Sequence, residues 1–531
     1  MGHRSLRDHL KGLEAHGLLN RIDARINKDT ELMPLVRWQY RGLSPEQRRA
    51  FLFTNVTDAR GRTYEGESAV ATIGASREVY AVALDCRVEE IRERWIRSQS
   101  SPIDPVLVDG KGTPVKEVIL RGDEVRTIGL DRFPIPISTP GFDPAPYVTS
   151  GAWVTKDPET GIRNVGNYRG MVKAPDRTGL QMFPSQHDGI HWAKWKAMGA
   201  KYMEAAIVIG PPPSVNLVAV AKIPYGVDEY TIAGGMCGFP IELVKCETVD
   251  LEVPAEAEVV LEGRIPTDFK EPEAPFGEFT GYVGERTMHP VFEITCITHR
   301  RRPIWHGFIS QFPPSESSLV RAVGNESNYY HTLKTHCSIG SVLDVVFHEP
   351  TGAHFIIIIR LKKQFAAQPF QAMQAAAALD PAQGKVIIAV DEDIDPYDMD
   401  SVLWAVSTRM QPHLDMQVIL NRVALLDPSS APPDSPPEEQ FFPQPRGTSS
   451  VLIDATRKWS FPPISLPKEP FMRRARALWE QLGLPPLTPR RPWFGYPLGN
   501  WPAEWAREAE LALEGRYFET GETLARQRRP V

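Results

Sequence analysis

Residues Glu273–Gly284 read EAPFGEFTGYVG. Two carboxylates, Glu273 and Glu278, bracket Ala274-Pro275-Phe276-Gly277. A proline and a glycine between two acids predict a stiff, sharply turned loop rather than a solvated charged face. Taken alone, the ordinary reading of such a loop is a turn whose acids are exposed or salt-bridged. The chemical reading is different: a buried carboxylate beside a second one has a raised pKa and can carry a proton at neutral pH. An arginine between the two would keep one ionised and hold both in place.

The rest of the chain sets bounds on that chemistry. Its 531 residues are enough for two or three domains with a sizeable core. The net charge of −6 argues against a nucleic-acid footprint, which needs a concentrated basic face. The apolar run Phe355–Ile359 is stopped by Arg360, and no stretch reaches the roughly 20 apolar residues of a membrane span. The N-terminal stretch has no apolar signal-peptide core. The five cysteines are odd in number, widely spaced and without a Cys-x-x-Cys, which fits a reduced cytoplasm rather than a disulfide framework or a zinc ribbon. The expectation is a cytoplasmic protein that binds neither nucleic acid nor membrane.

Periodicity divides the chain into four parts. Ser5 caps a helix carrying Leu6, Leu10 and Leu13, and Val88, Ile91 and Trp95 share one face of a second helix at residues 87–99. With the β-type run 69–73 they predict an N-terminal α/β segment, residues 1–115. Short β-branched runs at 118–120, 152–155, 206–209, 215–221, 259–261 and 292–296 alternate with Gly/Pro turns. They predict a split β-barrel core over 116–312. A long linking helix is predicted within 313–340. Strand–helix–strand–helix from 353 to 410, a proline-rich loop at 431–445 and two tail helices predict a smaller C-terminal α/β domain with a helical tail, residues 341–531. The class is α+β.

Four further segments could carry chemistry. RNVGNYRG, Arg163–Gly170, holds Asn164 and Arg169; by itself Asn-x-Gly usually marks a turn. SQHDGIHW, Ser185–Trp192, places His187 and His191 at i, i+4, a spacing that can share a metal on a helix. A zinc-protease motif needs Glu after the first His, whereas Asp188 stands here and Gly189 weakens the helix. Packing is the commoner fate of any single histidine. VDEYTIAGG, Val227–Gly235, puts Glu229 ahead of a β-type run, as a metal ligand, a salt-bridge partner or simply a solvated acid. GKVIIAVDEDID, Gly384–Asp395, opens an apolar strand with Lys385, which either blunts a sheet edge or reaches a phosphate.

In this order, the five segments resemble the UbiD family of prenylated-FMN-dependent decarboxylases. The most specific element is Glu-x-Pro-Phe-Gly-Glu-x-x-Gly-Tyr, and the resemblance covers most of the chain. It implies a UbiD-like fold: a flavin-reductase-like split barrel, a long linking helix and a C-terminal oligomerisation domain. It implies a catalytic Glu-Arg-Glu network at Glu273, Arg169 and Glu278. It implies that prenylated FMN is bound through its phosphate and a divalent metal, typically Mn²⁺, with K⁺ nearby. The metal ligands would be Asn164, His187 and Glu229, with Lys385 at the phosphate. Gln186 and Phe279 match positions near the substrate, Gln186 and Arg169 also near the cofactor. One departure is Asn167, where relatives often carry a small apolar residue; it would face either the flavin or solvent.

The implied reaction is reversible, non-oxidative decarboxylation of an aromatic, heteroaromatic or α,β-unsaturated acid through a covalent cofactor adduct. Glu278 would be the acid/base and Arg169 would orient the carboxylate. An aromatic acyl-CoA is an open alternative substrate. A flavin prenyltransferase would supply the cofactor, and the chain would form a homodimer or homohexamer. Two rival readings differ in class. A plain-FMN oxidoreductase on the same barrel would need a nicotinamide site, and no G-x-G-x-x-G follows a predicted strand. A non-catalytic subunit of a carboxylase assembly would have no use for the acids.

Overall fold

The structure is a computed structural model that describes residues 2–423, 426–430 and 448–529. The proline-rich stretch 431–445 lies outside the described residues. None of the described helices is long and apolar enough to cross a membrane.

The centre is a nine-stranded antiparallel sheet curled into a half-barrel. Its long strands Tyr202–Ile209, Val259–Pro266 and Val291–His299 are buried on both faces over most of their length. They need cover on both sides, and they have it. Trp153, Ile207, Leu261, Phe292 and Trp305 fill one side, while Val154, Val208 and Val260 pack with Trp95, Tyr230 and Leu319 on the other. Ala152–Lys156 and Arg163–Asn167 extend the sheet at one end, the second being its edge.

A four-stranded mixed sheet abuts the barrel. It joins Leu19–Ile22, Ala50–Phe53 and Glu67–Val70 to Ile304–Gly307, a strand from far along the chain. The C-terminal half is a five-stranded sheet ordered Val342–Phe347, Ile356–Leu361, Val386–Asp391, Thr448–Ala455 and Met416–Arg422. Its three central strands are mutually parallel, and the burial of Ile356–Leu361 and Val386–Asp391 explains why those two read as runs of isoleucine and valine.

The linking helix Glu316–His331 joins the halves. Ser315 caps it, its hydroxyl accepting from the Ser318 N–H at 3.2 Å. Its Glu326 takes both carboxylate bonds from Arg77, at 2.8 and 3.0 Å.

Two predicted strands are helices. Of residues 215–221, all but the last lie in the helix Pro213–Val220, which is buried on almost every side. A short apolar run buried all round has no periodicity to separate helix from strand, and the prolines at its start favour the helix. The run after Glu229 is the helix Glu229–Cys237, nucleated by the Asp228 carboxylate accepting from the Tyr230 N–H at 3.0 Å. At Gly235 a Cβ would stand 2.7 Å from the Ser101 carbonyl and 2.8 Å from that of Ser98, so the helix packs at backbone distance. The tail has three helices rather than two: Glu469–Gln481, Ala503–Leu513 and Tyr517–Ala525.

Candidate active site

The Glu273–Gly284 loop is an irregular β-hairpin. Glu271–Glu273 pairs with Thr287–His289, and Phe276–Gly277 pairs with Val283–Gly284. The tip is closed by Glu278 N–H on the Tyr282 carbonyl (2.8 Å) and Gly281 N–H on that of Glu278 (3.0 Å). Gly284 sits beneath the second acid: a Cβ there would come within 2.9 Å of Glu278 Oε1. Tyr147 braces the loop, its ring 4.3 Å from Phe276 and its hydroxyl donating to the Pro275 carbonyl at 3.1 Å.

Arg169 follows the edge strand Arg163–Asn167 and reaches between the two acids. Its Nε and Nη2 donate to Glu273 Oε1 and Oε2 at 3.2 and 2.7 Å, and its Nη1 donates to Glu278 Oε1. The guanidinium also lies 5.0 Å over the Phe276 ring. Glu273 is fully buried, and Glu278 and Arg169 are 7% and 9% exposed, so solvent screens this triad weakly. Burial pushes the Glu278 carboxyl above the usual carboxylate range, and Arg169 pulls it back only in part. Burial opposes the charge on Arg169, but Glu278 and Glu273 outweigh it and raise the arginine's pKa. One acid is thus fixed behind the arginine while the other can hold a proton.

A second cluster lies along the same cleft. Gln186 precedes the helix His187–Ala197, and its side-chain oxygen accepts from the Phe183 N–H at 2.9 Å. His187 and Glu229 are each the first residue of a helix, so two positive helix ends point into one region. His187 Nδ1 is 3.2 Å from Asn164 Oδ1 and 3.8 Å from Glu229 Oε1. The Val165 N–H donates to Glu229 Oε2 at 2.8 Å. Burial raises the Glu229 carboxyl's pKa against the pull of His187. Asn164 Nδ2 is buried without a partner. Among the described residues no three His, Cys, Asp or Glu side chains form a metal cluster, so an ion here would depend on the Asn164 amide and on oxygens a ligand brings.

The cleft therefore gathers Asn164, Arg169, Gln186, His187, Glu229 and Glu278, and Phe279 with them. Glu273 stands behind Arg169. His191 faces away: its Nδ1 meets Thr155 Oγ1 at 2.9 Å and its Nε2 is 3.9 Å from Asp157, a packing role. The structure does not bring Lys385 to this cleft. Its ammonium donates to Asp427 at 2.7 Å and Ser429 at 2.6 Å, in a separate depression beyond Gln383. Asn167 faces the cleft, donating to the Thr149 carbonyl at 3.2 Å and leaving its Oδ1 buried and unpaired. Several charged or polar lining residues had no signal in the sequence, among them Lys222, Arg321 on the linking helix, and His354 and Asp380 in the C-terminal half.

Comparison with known proteins supplies the family. Residues 106–313 match the 3-octaprenyl-4-hydroxybenzoate carboxy-lyase Rift-related domain of UbiD, and residues 318–455 match the corresponding C-terminal domain. The UbiD-class enzyme HmfF of Pelotomaculum thermopropionicum, solved as an evolved dimeric form with prFMN, is 31% identical. The match covers 88% of this chain and 97% of that one, with a TM-score of 0.73. The vanillic acid decarboxylase of Sedimentibacter hydroxybenzoicus in its closed form is 26% identical over 91% of this chain and 99% of its own, with a TM-score of 0.76. An uncharacterised protein of Archaeoglobus fulgidus is 29% identical over 500 residues, 91% of this chain and 99% of that protein. The family models and the fold shared with these enzymes define a carboxy-lyase. The chain belongs to the UbiD family.

Proposed function

We propose that the protein is a prenylated-FMN-dependent decarboxylase of aromatic or heteroaromatic carboxylic acids. The observation that carries this reading is Glu278: a buried carboxyl, raised in pKa, on an arginine that a second glutamate holds from behind. HmfF was solved with prFMN and with FMN, which supports the flavin, and the Sedimentibacter enzyme is a vanillic acid decarboxylase, which supports the substrate class.

The side chains divide the work. Prenylated FMN, when bound, supplies a sink for the electron pair left as the carboxylate departs. Asn164, His187 and Glu229 fit the task of holding its phosphate through a divalent cation such as Mn²⁺, with K⁺ alongside. They offer amide oxygen, imidazole and carboxylate at the starts of two helices, a donor set suited to a hard cation and a phosphate. Lys385 has no part in this reading, because Asp427 already neutralises it.

Arg169 has five N–H donors and spends three on the two glutamates, leaving two for a substrate carboxylate. An arriving carboxylate adds negative charge beside Glu278 and favours its protonated form. Protonation in turn frees Arg169 Nη1 for the substrate. Loss of CO₂ breaks the carbon–carboxylate bond, and Glu278 delivers its proton to the carbon left behind. In the carboxylation direction the same carboxylate removes that proton.

Assembly into a homodimer or homohexamer belongs to the same reading. The three tail helices bury none of their residues, leaving apolar side chains such as Phe471, Leu478, Trp505 and Phe518 exposed for other copies.

The test is Glu278→Gln in protein co-produced with a flavin prenyltransferase. Turnover of a screened aromatic acid should fall by about a hundredfold or more, the scale of general acid–base catalysis, while bound flavin persists in the absorbance spectrum. Undiminished turnover would remove Glu278 from the chemistry.

A further inference from the structure

Gly277 stands immediately before Glu278, and two distant segments close on its backbone. A Cβ there would lie 3.1 Å from Thr139 Oγ1 and 2.5 Å from Gln311 Cγ, so the approach needs a residue without a side chain. Gln311 follows the strand Ile304–Gly307 and is held by Arg37, whose Nη2 donates to its Oε1 at 3.1 Å. Thr139 belongs to the proline-rich loop 134–146, which runs straight into Tyr147. That loop therefore meets the acid hairpin twice: Tyr147 takes hold of the Pro275 carbonyl, and Thr139 covers Gly277.

The second meeting point turns on Asp143. Its Oδ2 accepts the Thr139 N–H at 2.7 Å, while the N–H groups of Phe142 and Asp143 donate to the Thr139 carbonyl at 3.0 and 3.1 Å. Among the described residues no cation lies within ion-pair distance of it, so backbone N–H groups hold this carboxylate. Burial lifts it to about 6; the Thr139 and Ser138 N–H groups, Arg169 and the Gly277 N–H pull it back, and it is an anion at neutral pH. Of these groups Gly277 is the one in the hairpin, and the residue after it carries the proton. Neither Asp143 nor Thr139 lines the cleft.

We propose that Asp143 is a positioning residue for Glu278: its carboxylate locks the 139–143 turn against Gly277 and so fixes where the Glu278 carboxyl meets Arg169 and the substrate. It touches neither substrate nor cofactor and acts through the hairpin backbone. A proton donor is effective only within hydrogen-bond reach of its acceptor, so slack in the hairpin is felt in the chemical step rather than in binding. This inference rests on the decarboxylase reading and adds to it the residue that aims its acid.

The experiment compares wild type, Asp143→Ala and Asp143→Asn, each co-produced with a flavin prenyltransferase, by hydrogen–deuterium exchange and by turnover of a screened aromatic acid. In Asp143→Ala the amides of residues 274–284 should exchange about tenfold faster, while those of the barrel strand Val259–Pro266 keep their rate. Its kcat should fall about tenfold with KM and flavin content unchanged, the pattern of an interaction that matters only in the transition state. Asp143→Asn keeps the shape and one acceptor oxygen without the charge. It should show the same pattern at about threefold, and it decides the matter if the alanine variant does not fold. Unchanged hairpin exchange, or faster exchange with full kcat, overturns the inference. Faster exchange across the whole barrel, or a raised KM or lost flavin in place of the fall in kcat, makes Asp143 an ordinary structural residue and also overturns it. In each of these cases an inactive Glu278→Gln leaves the decarboxylase reading standing. Full turnover by Glu278→Gln would instead bring down that reading, and the inference with it.

Discussion

At the scale of single residues, the site works by unequal treatment of similar groups. Glu273 and Glu278 are five positions apart on one hairpin, yet the first takes two bonds from Arg169 and the second takes one. The two acids and the turn between them were legible in the sequence because they are local; their unequal hold on Arg169 was not. The partner arginine lies more than a hundred residues away, and only the pairing of distant strands delivers it. His187 carries a prediction of its own. Replacing it by alanine removes the imidazole between Asn164 and Glu229 and leaves Glu229 buried without it. Metal content by mass spectrometry and flavin absorbance should then fall together in the purified His187→Ala protein. Full occupancy of both would take His187 out of the cofactor's anchor.

At the scale of elements, what was legible depended on whether local pattern or tertiary contact decided the structure. Strands such as Val259–Pro266 and the helix Glu316–His331 carry their own signals. Glu229–Cys237 does not: Tyr-Thr-Ile has β character, and the helix forms because Asp228 caps it and Gly235 lets it lie against the 98–101 backbone. Arg321 was hidden for a similar reason, since a linking helix gives no hint of which side chain will face a cleft. The start of that helix contains another device. Glu316 is fully buried and accepts the N–H groups of Ala71 and Ile73 at 2.9 and 3.1 Å, tying the helix to the end of the strand Glu67–Val70. Burial lifts its carboxyl to about 7, from an ordinary value of 4.5. Between those values the folded state holds a proton that the unfolded state has lost, so this contribution to stability falls as pH rises. The stability of the wild type minus that of Glu316→Gln should therefore drop by roughly 3 kcal/mol between pH 4 and pH 8. Denaturant titrations at the two pH values measure it; a difference that is flat or rises with pH would contradict the assignment.

At the scale of the whole molecule, the acid hairpin touches both halves. Glu278 belongs to the barrel side, but the next residue, Phe279, lies against His354, and a Cβ on Gly352 would come within 2.7 Å of the Phe279 carbonyl. The Sedimentibacter decarboxylase has been solved in open and closed forms. Here, parting the two halves would admit water to Glu278 and undo the burial that raises its pKa. Shape and proton binding would then be two readings of one equilibrium, acid favouring the compact molecule and each opening releasing a proton to the solvent. X-ray scattering should show a radius of gyration that grows as pH rises through the titration of Glu278, and that growth should be lost in Glu278→Gln. Identical profiles for the two proteins would uncouple them. A molecule that opened in this way would take up a proton at Glu278 as it closed, so the proposed acid would meet its substrate already protonated.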